Sequence, residues 1–206
     1  MPRITAERRS VNRAALVAAA RRCFSRDGFH QTSMPAIAAE AGVAVGAAYR
    51  YFAGKDDLIV EVARSAFAVI LSPVQRLHDQ EADASVADLI AATVEDLDRI
   101  RPVDAAGNSI PLDELLRCAV QTWGEILRGG EVADRAAEGV AGALDELASV
   151  LRRGQQRGTV PAGLDPAGAA RVVMALLHGY LLQRTAFGPI DSGAFAQAVR
   201  TLLSPS

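Results

Sequence analysis

The stretch TSMPAIAAEAGVAVGAAYRYFAGK, Thr32 to Lys55, decides how the rest of the chain is read. Helical phase puts Met34, Ile37, Ala38 and Ala41 on one face of a first short helix, and Gly42 follows where a helix end favours a residue free to take positive φ. A second short helix begins near Val45. Helices this short bury little against each other, so they need a third to pack on and a reason to be exposed. On a helical wheel from Val45 to Phe52, Ala48 and Phe52 point inward, Gly46, Ala47 and Arg50 point the opposite way, Tyr51 lies beside them, and Val45 and Tyr49 flank. The outward face is small except for Arg and Tyr, and it holds neither Glu nor Lys. Small residues let backbone approach a base-pair edge, while a tyrosine hydroxyl and an arginine suit phosphate and guanine contacts.

Charge supports the same reading once it is divided along the chain. The net charge of the 206 residues is −2, but residues 1–55 hold nine Arg and Lys against Glu7, Asp27 and Glu40, an excess of +6, and the remainder carries −8. A basic head on an acidic body points to a head that meets a polyanion. Half of the residues are apolar, enough for a substantial core, and no alternating run of β-branched or aromatic residues marks a strand, so an all-α fold is expected. The N-terminus is charged from Arg3, and the longest nearly apolar run, Val172 to Leu182, is too short to cross a bilayer, so the expected location is the cytoplasm, away from membranes. Cys23 and Cys118 have no CxxC spacing and read as small buried residues.

Outward from the central stretch, residues 1–9 read as a flexible arm carrying Arg3, Arg8 and Arg9, and a first helix runs from about Ser10 to Arg26, ending at Asp27-Gly28. Phe29 is expected to pack under the next two helices. Gly54 to Asp57 opens a long linking helix with acids in its first turn, which Pro73 is expected to kink or end near Ser72. Further helices are expected over Ser85–Arg99, Leu112–Arg128, Glu131–Gln156, Asp165–Phe187 and Ser192–Leu203, about nine in all, punctuated by Gly129-Gly130 and Gly188-Pro189. The helix from Asp165 is apolar nearly all round, and a helix with two apolar faces needs two partners. One is the chain's own core; the other is read as an identical subunit, giving a homodimer through the last two helices, about residues 165–203.

The run Ile37-Ala38, Ala41-Gly42-Val43, Gly46, Tyr49, Tyr51-Phe52, Lys55 and Leu58 resembles the helix-turn-helix signature of TetR-family transcriptional regulators, over about Ser10 to Leu58. The resemblance implies a three-helix DNA-binding domain over residues 1–55, and a helical effector-binding and dimerisation domain over 56–206. It implies phosphate contacts for Thr32 or Ser33, Tyr49, Tyr51 and Lys55, the chain's one lysine, and base contacts for Val45, Gly46, Ala47 and Arg50. Two positions depart from the family pattern. Ala44 stands where Ser or Thr is frequent, which removes a helix cap, and Ala48 stands where a larger aliphatic is usual.

For the body the expectation is a mostly apolar effector cavity lined by Phe67, Thr93, Trp123, Leu147 and His178, because a lone tryptophan and a histidine among apolar residues supply area and a polar handle. The effector is expected to be small and apolar or amphipathic. By favouring a different head spacing it would release a repressor from double-stranded operator DNA. An effector-independent architectural dimer on DNA is the alternative. An enzyme is disfavoured: GxSxG, P-loop and GxGxxG are missing, and His30, His78 and His178 lie far apart, so no catalytic residue, metal ligand or cofactor is expected.

Overall fold

The computed structural model describes residues 6–79, 85–104 and 107–203. Among these residues nine helices form: α1 (Ala6–Gln31), α2 (Met34–Glu40), α3 (Val45–Ala48), α4 (Lys55–Asp79), α5 (Val86–Arg99), α6 (Leu112–Arg128), α7 (Glu131–Arg157), α8 (Pro166–Phe187) and α9 (Ser192–Leu203). An isolated bridge between Val103 and Ser109 closes the loop before α6. The all-α expectation holds. No helix among the described residues is long and apolar enough to cross a membrane.

Two compact units divide the chain, Met1–Phe67 with Arg101–Ala137 and Ala68–Ile100 with Glu138–Ser206. Packing thus gathers α6 with the N-terminal helices, whereas a division at residue 55 follows the DNA-reading motif alone.

In the first unit α1 supplies the floor. Leu16, Ala19, Ala20, Cys23 and Phe24 recur at helical spacing and are buried against Ile37 and Ala38 of α2, Ala48 of α3, Leu58 and Val62 of α4 and Cys118 of α6. The helix begins at Ala6 rather than near Ser10, so Arg8 and Arg9, expected on a flexible arm, are exposed helical residues; Arg3 lies outside the described residues. Its regular course breaks at Gly28, whose φ of 84° and ψ of 163° suit a residue without Cβ. Past that break Phe29 turns inward and meets the Phe24 ring edge-on at 4.9 Å.

Phe29 is also held by its backbone. Its N–H has lost the regular helical acceptor and donates instead to Gln121 Oε1 at 3.0 Å, while Gln121 Nε2 donates to the Phe24 carbonyl at 3.1 Å. On the opposite side Lys55 Nζ donates to the Phe29 carbonyl at 2.8 Å. Side chains from α6 and α4 therefore grip the two polar groups of one residue in the α1–α2 connection.

The helix α4 continues through Pro73 and so does not end near Ser72. Proline has no N–H to offer the carbonyl of Val69, four residues earlier. Ser72 Oγ donates to that carbonyl at 2.9 Å and so replaces the missing backbone donor. Arg76 in turn donates to Ser72 Oγ at 3.2 Å.

The second unit is built on α5, α8 and α9. Leu89, Ile90, Val94 and Leu97 of α5, Val173, Leu177 and Tyr180 of α8, and Ala196 and Val199 of α9 are buried, with Tyr180 against Phe195 at 4.8 Å between ring centres. Asp165 caps α8 by accepting from the N–H groups of Ala167 and Gly168, with Pro166 in the first turn. Arg200 of α9 pairs with Glu95 of α5 at 2.9 Å, and Arg184 pairs with Asp98. The second apolar side of α8 is open: Val172, Leu182 and Phe187 are exposed together with Leu202 of α9, and a Cβ at Gly179 would meet nothing within 4 Å.

Candidate nucleic-acid interface

The turn between α2 and α3 follows from local chemistry. Ser33 caps α2 by accepting the Ala36 N–H at 3.3 Å, with Pro35 in the first turn. Gly42 takes φ of 67°, and the Val43 N–H returns to the Ala38 carbonyl at 3.0 Å. The next helix is one turn long. Beyond Ala48 the chain stays coiled through i→i+3 bonds from Arg50 to the Ala47 carbonyl and from Tyr51 to the Ala48 carbonyl. Ala44 has extended backbone and no side-chain cap, as its small side chain dictates.

With no cap at its start, α3 is held from behind and from its end. Ala48 and Phe52 are buried. Arg13 of α1 lies over the Phe52 ring with its guanidinium carbon 5.1 Å from the ring centre, and it pairs with Glu61 of α4 at 3.1 Å. Asn12 of α1 donates to the Tyr51 hydroxyl at 3.1 Å. Neither Asn12 nor Arg13 stands out in the sequence as part of the interface, because their roles appear only when α1 crosses behind α3.

The nine expected DNA contacts divide by exposure and engagement. Val45, Gly46, Tyr49 and Arg50 are exposed, Tyr49 by 51%, with Ala47 half-buried beside them. Among the described residues, no carboxylate or hydrogen-bond partner engages the Arg50 guanidinium. Ser33 is exposed, and while its oxygen accepts from α2 its proton remains available. Tyr51 and Lys55 are half-buried and held by Asn12 and the Phe29 carbonyl. Thr32 is the correction. It is only 3% exposed and its hydroxyl donates to the Gly28 carbonyl at 2.8 Å, so it closes the end of α1 instead of facing outward.

Several arginines of the head are engaged by carboxylates, and two of these acids, Glu61 and Glu114, lie beyond residue 55 and so trim the basic excess of +6. Arg21 pairs with Glu114 at 3.0 Å, Arg22 with Glu40 at 2.7 Å and Arg26 with Asp27 at 2.9 Å, besides Arg13 with Glu61. The Arg22 guanidinium holds the Glu40 carboxyl below the usual carboxylate range. At the start of α4, Asp57 accepts from Arg135 at 2.7 Å and from the Ala53 N–H at 2.9 Å, and Arg135 is the main reason its carboxyl also sits low. Arg50 thus differs from Arg13, Arg21, Arg22 and Arg26 in having no carboxylate partner among the described residues.

The five expected effector contacts do not come together in one unit. Phe67 and Trp123 belong to the first, and Thr93, Leu147 and His178 to the second. Thr93 is fully buried with its hydroxyl donated to the Leu89 carbonyl at 2.7 Å, and Leu147 is fully buried. His178 is half-buried, and burial pushes its imidazole down to about 4. The first unit contains a cleft of about 340 Å³ between α1, the end of α2 and the Asp104–Asn108 loop, and none of the five lines it. Among the described residues no group of acids, cysteines or histidines is placed to hold a metal ion.

Comparison with known proteins agrees with this geometry over both halves of the chain. Residues 16–62 match the profile of bacterial regulatory proteins of the tetR family, and residues 109–204 match the C-terminal profile of BetI-type transcriptional repressors. The transcriptional regulator UidR of Escherichia coli strain K12 is 25% identical over 195 residues, covering 93% of this chain and 90% of its own. Among solved structures, GusR of Salmonella enterica superposes with a TM-score of 0.70 at 24% identity, over 94% of this chain and 93% of that one. SmeT, the repressor of the Stenotrophomonas maltophilia multidrug efflux pump SmeDEF, superposes with a TM-score of 0.65 at 26% identity, over 92% and 89%.

Proposed function

The chain belongs to the tetR family of bacterial regulatory proteins and is a DNA-binding transcriptional regulator, and from that premise we propose how it reads DNA and is released. The observation that carries the reading is the exposed Arg50 beside Gly46, on a surface whose neighbouring arginines are engaged by carboxylates. Arg50 reads a base edge in the major groove, guanine by preference, while Val45 and Ala47 make apolar contacts such as thymine methyls and Gly46 permits close approach. Ser33, Tyr49, Tyr51 and Lys55 contact phosphates and set the register. Thr32 is left out of this set.

Residues 1–55 carry DNA reading and residues 56–206 effector binding and dimerisation. The working form is a homodimer joined through α8 and α9, whose exposed Val172, Leu182, Phe187 and Leu202 form the apolar surface that a second copy would cover. Two recognition helices then enter successive major grooves of a near-palindromic operator in the cytoplasm. A small apolar or amphipathic effector favours a conformer whose heads no longer match that spacing. Shifting the protein from mostly bound to mostly free takes about 5 kcal/mol of differential binding. Repression by operator occlusion is the resulting activity.

Selection of genomic DNA fragments on the purified protein, followed by footprinting, tests this reading. The expected outcome is one near-palindromic motif with half-sites about 10 base pairs apart, centre to centre, or a multiple of that. Recovery of fragments with no shared motif would remove sequence-specific regulation in favour of architectural binding.

A further inference from the structure

We propose that Asn12 is a positioning residue for DNA binding: it fixes the direction in which Tyr51 offers its hydroxyl proton. The inference rests on Tyr51 contacting phosphate, as proposed above. A phenol has one proton and can also accept, and here the Asn12 amide N–H, 3.1 Å away, supplies a donor to the oxygen. The Tyr51 proton cannot then point along the Asn12 contact, and it is left for a partner outside the protein. Accepting a bond from an amide also polarises the phenol and strengthens it as a donor.

The surroundings make Asn12 matter. The phenol ring packs against the buried core of the first unit, so the side chain does not swing freely. The helix it follows is a single turn with no side-chain cap, so position is imposed from α1 and not from within α3. Asparagine is a poor helix former, and alanine would serve α1 better at a half-buried site in its interior. What Asn12 adds is therefore its amide, and the partner of that amide is Tyr51.

Because phosphate contacts are independent of sequence, random-sequence duplex DNA at low salt is a sufficient probe. Tyr51→Phe is expected to weaken binding about tenfold, the size of one hydrogen bond to a charged acceptor. Asn12→Ala is expected to weaken it about threefold, through lost ordering of the phenol. The slope of affinity against salt should not change in either variant, because neither removes a charge. In the Tyr51→Phe background Asn12→Ala should have no further effect. Asn12→Asp, which captures the phenol proton, should weaken binding beyond Asn12→Ala, and the same change with Phe at position 51 reports the charge alone. Thermal unfolding of each variant shows that it folds. An Asn12→Ala loss that persists with Phe at position 51, or no loss while Tyr51→Phe weakens binding, overturns the role of Asn12. No loss on Tyr51→Phe removes the phosphate contact itself, and the proposal with it.

Discussion

Gln121 of α6 accepts the backbone N–H of Phe29 at 3.0 Å, the group that the break at Gly28 leaves without a helical partner. Replacing Gln121 by Leu keeps the bulk, orphans the Phe29 N–H and removes the side-chain donor to the Phe24 carbonyl. The expected cost is about 1–3 kcal/mol of stability, read by chemical denaturation. Gln121→Glu restores the acceptor for Phe29 and should recover part of that loss; equal losses for Leu and Glu would show that the Phe29 bond contributes nothing.

Arg50 and Lys55 should separate when each is changed to Ala. Arg50→Ala is expected to bring affinity for the selected operator toward that for random DNA, at a loss of about 1–3 kcal/mol of discrimination. Lys55→Ala should weaken both DNAs alike and reduce the salt slope by about one. Equal loss on both DNAs from Arg50→Ala would contradict the assignment of base reading to it.

Ala44 has the extended backbone of an N-cap, with φ of −66° and ψ of 141°, but no oxygen with which to cap. Ala44→Ser should raise stability by about 1 kcal/mol, measured by thermal unfolding with Ala44→Val as the control that gains nothing. A destabilised Ser variant would mean that the start of α3 is set by packing alone.

At Pro73 the prediction is a paired one. Ser72→Ala removes the donor to the Val69 carbonyl and should cost about 1 kcal/mol, because that oxygen then has no partner from the helix. Adding Pro73→Ala supplies the missing backbone N–H, and the double variant should regain that loss. Additive losses in urea denaturation would refute the compensation.

His178 gives the second unit an acid sensitivity. Its folded imidazole titrates near 4, because burial disfavours the charged form, against an ordinary value of 6.5. Since the unfolded chain takes up the proton first, stability is complete above pH 6.5 and is lost as pH falls toward 4. The loss reaches up to about 3 kcal/mol by linkage. His178→Gln should flatten that part of the stability profile, as the difference between the two proteins' denaturation midpoints at pH 7 and pH 5 would report.

Local chemistry was readable in advance and tertiary pairing was not. The helix starts at Ser85 and Asp165, the Gly129-Gly130 break and the stop at Gly188 were legible because each depends on neighbours within a few residues. The alternation of Ala48 and Phe52 with Arg50 correctly separated the buried side of α3 from the exposed one. By contrast, Thr32 turned inward because Gly28 had broken α1 and left its carbonyl in reach. The helix α4 passed its proline because a serine hydroxyl stood next to it. Four head arginines lost their freedom to carboxylates, two of which, Glu61 and Glu114, lie beyond residue 55. The effector contacts were hardest to read, since an apolar residue that fills space and one that lines a cavity have the same sequence signature.

A recognition helix of one turn, held by Ala48, Phe52, Tyr51 and their partners on α1, divides its residues between two duties. The positions that fold it face inward, and Val45, Gly46, Ala47 and Arg50 carry little of that burden. With base reading assigned to these four as proposed above, substitutions there are expected to change the preferred operator at small cost to the fold. Duplicated copies of this chain would then be free to drift toward new binding sites while keeping the same scaffold.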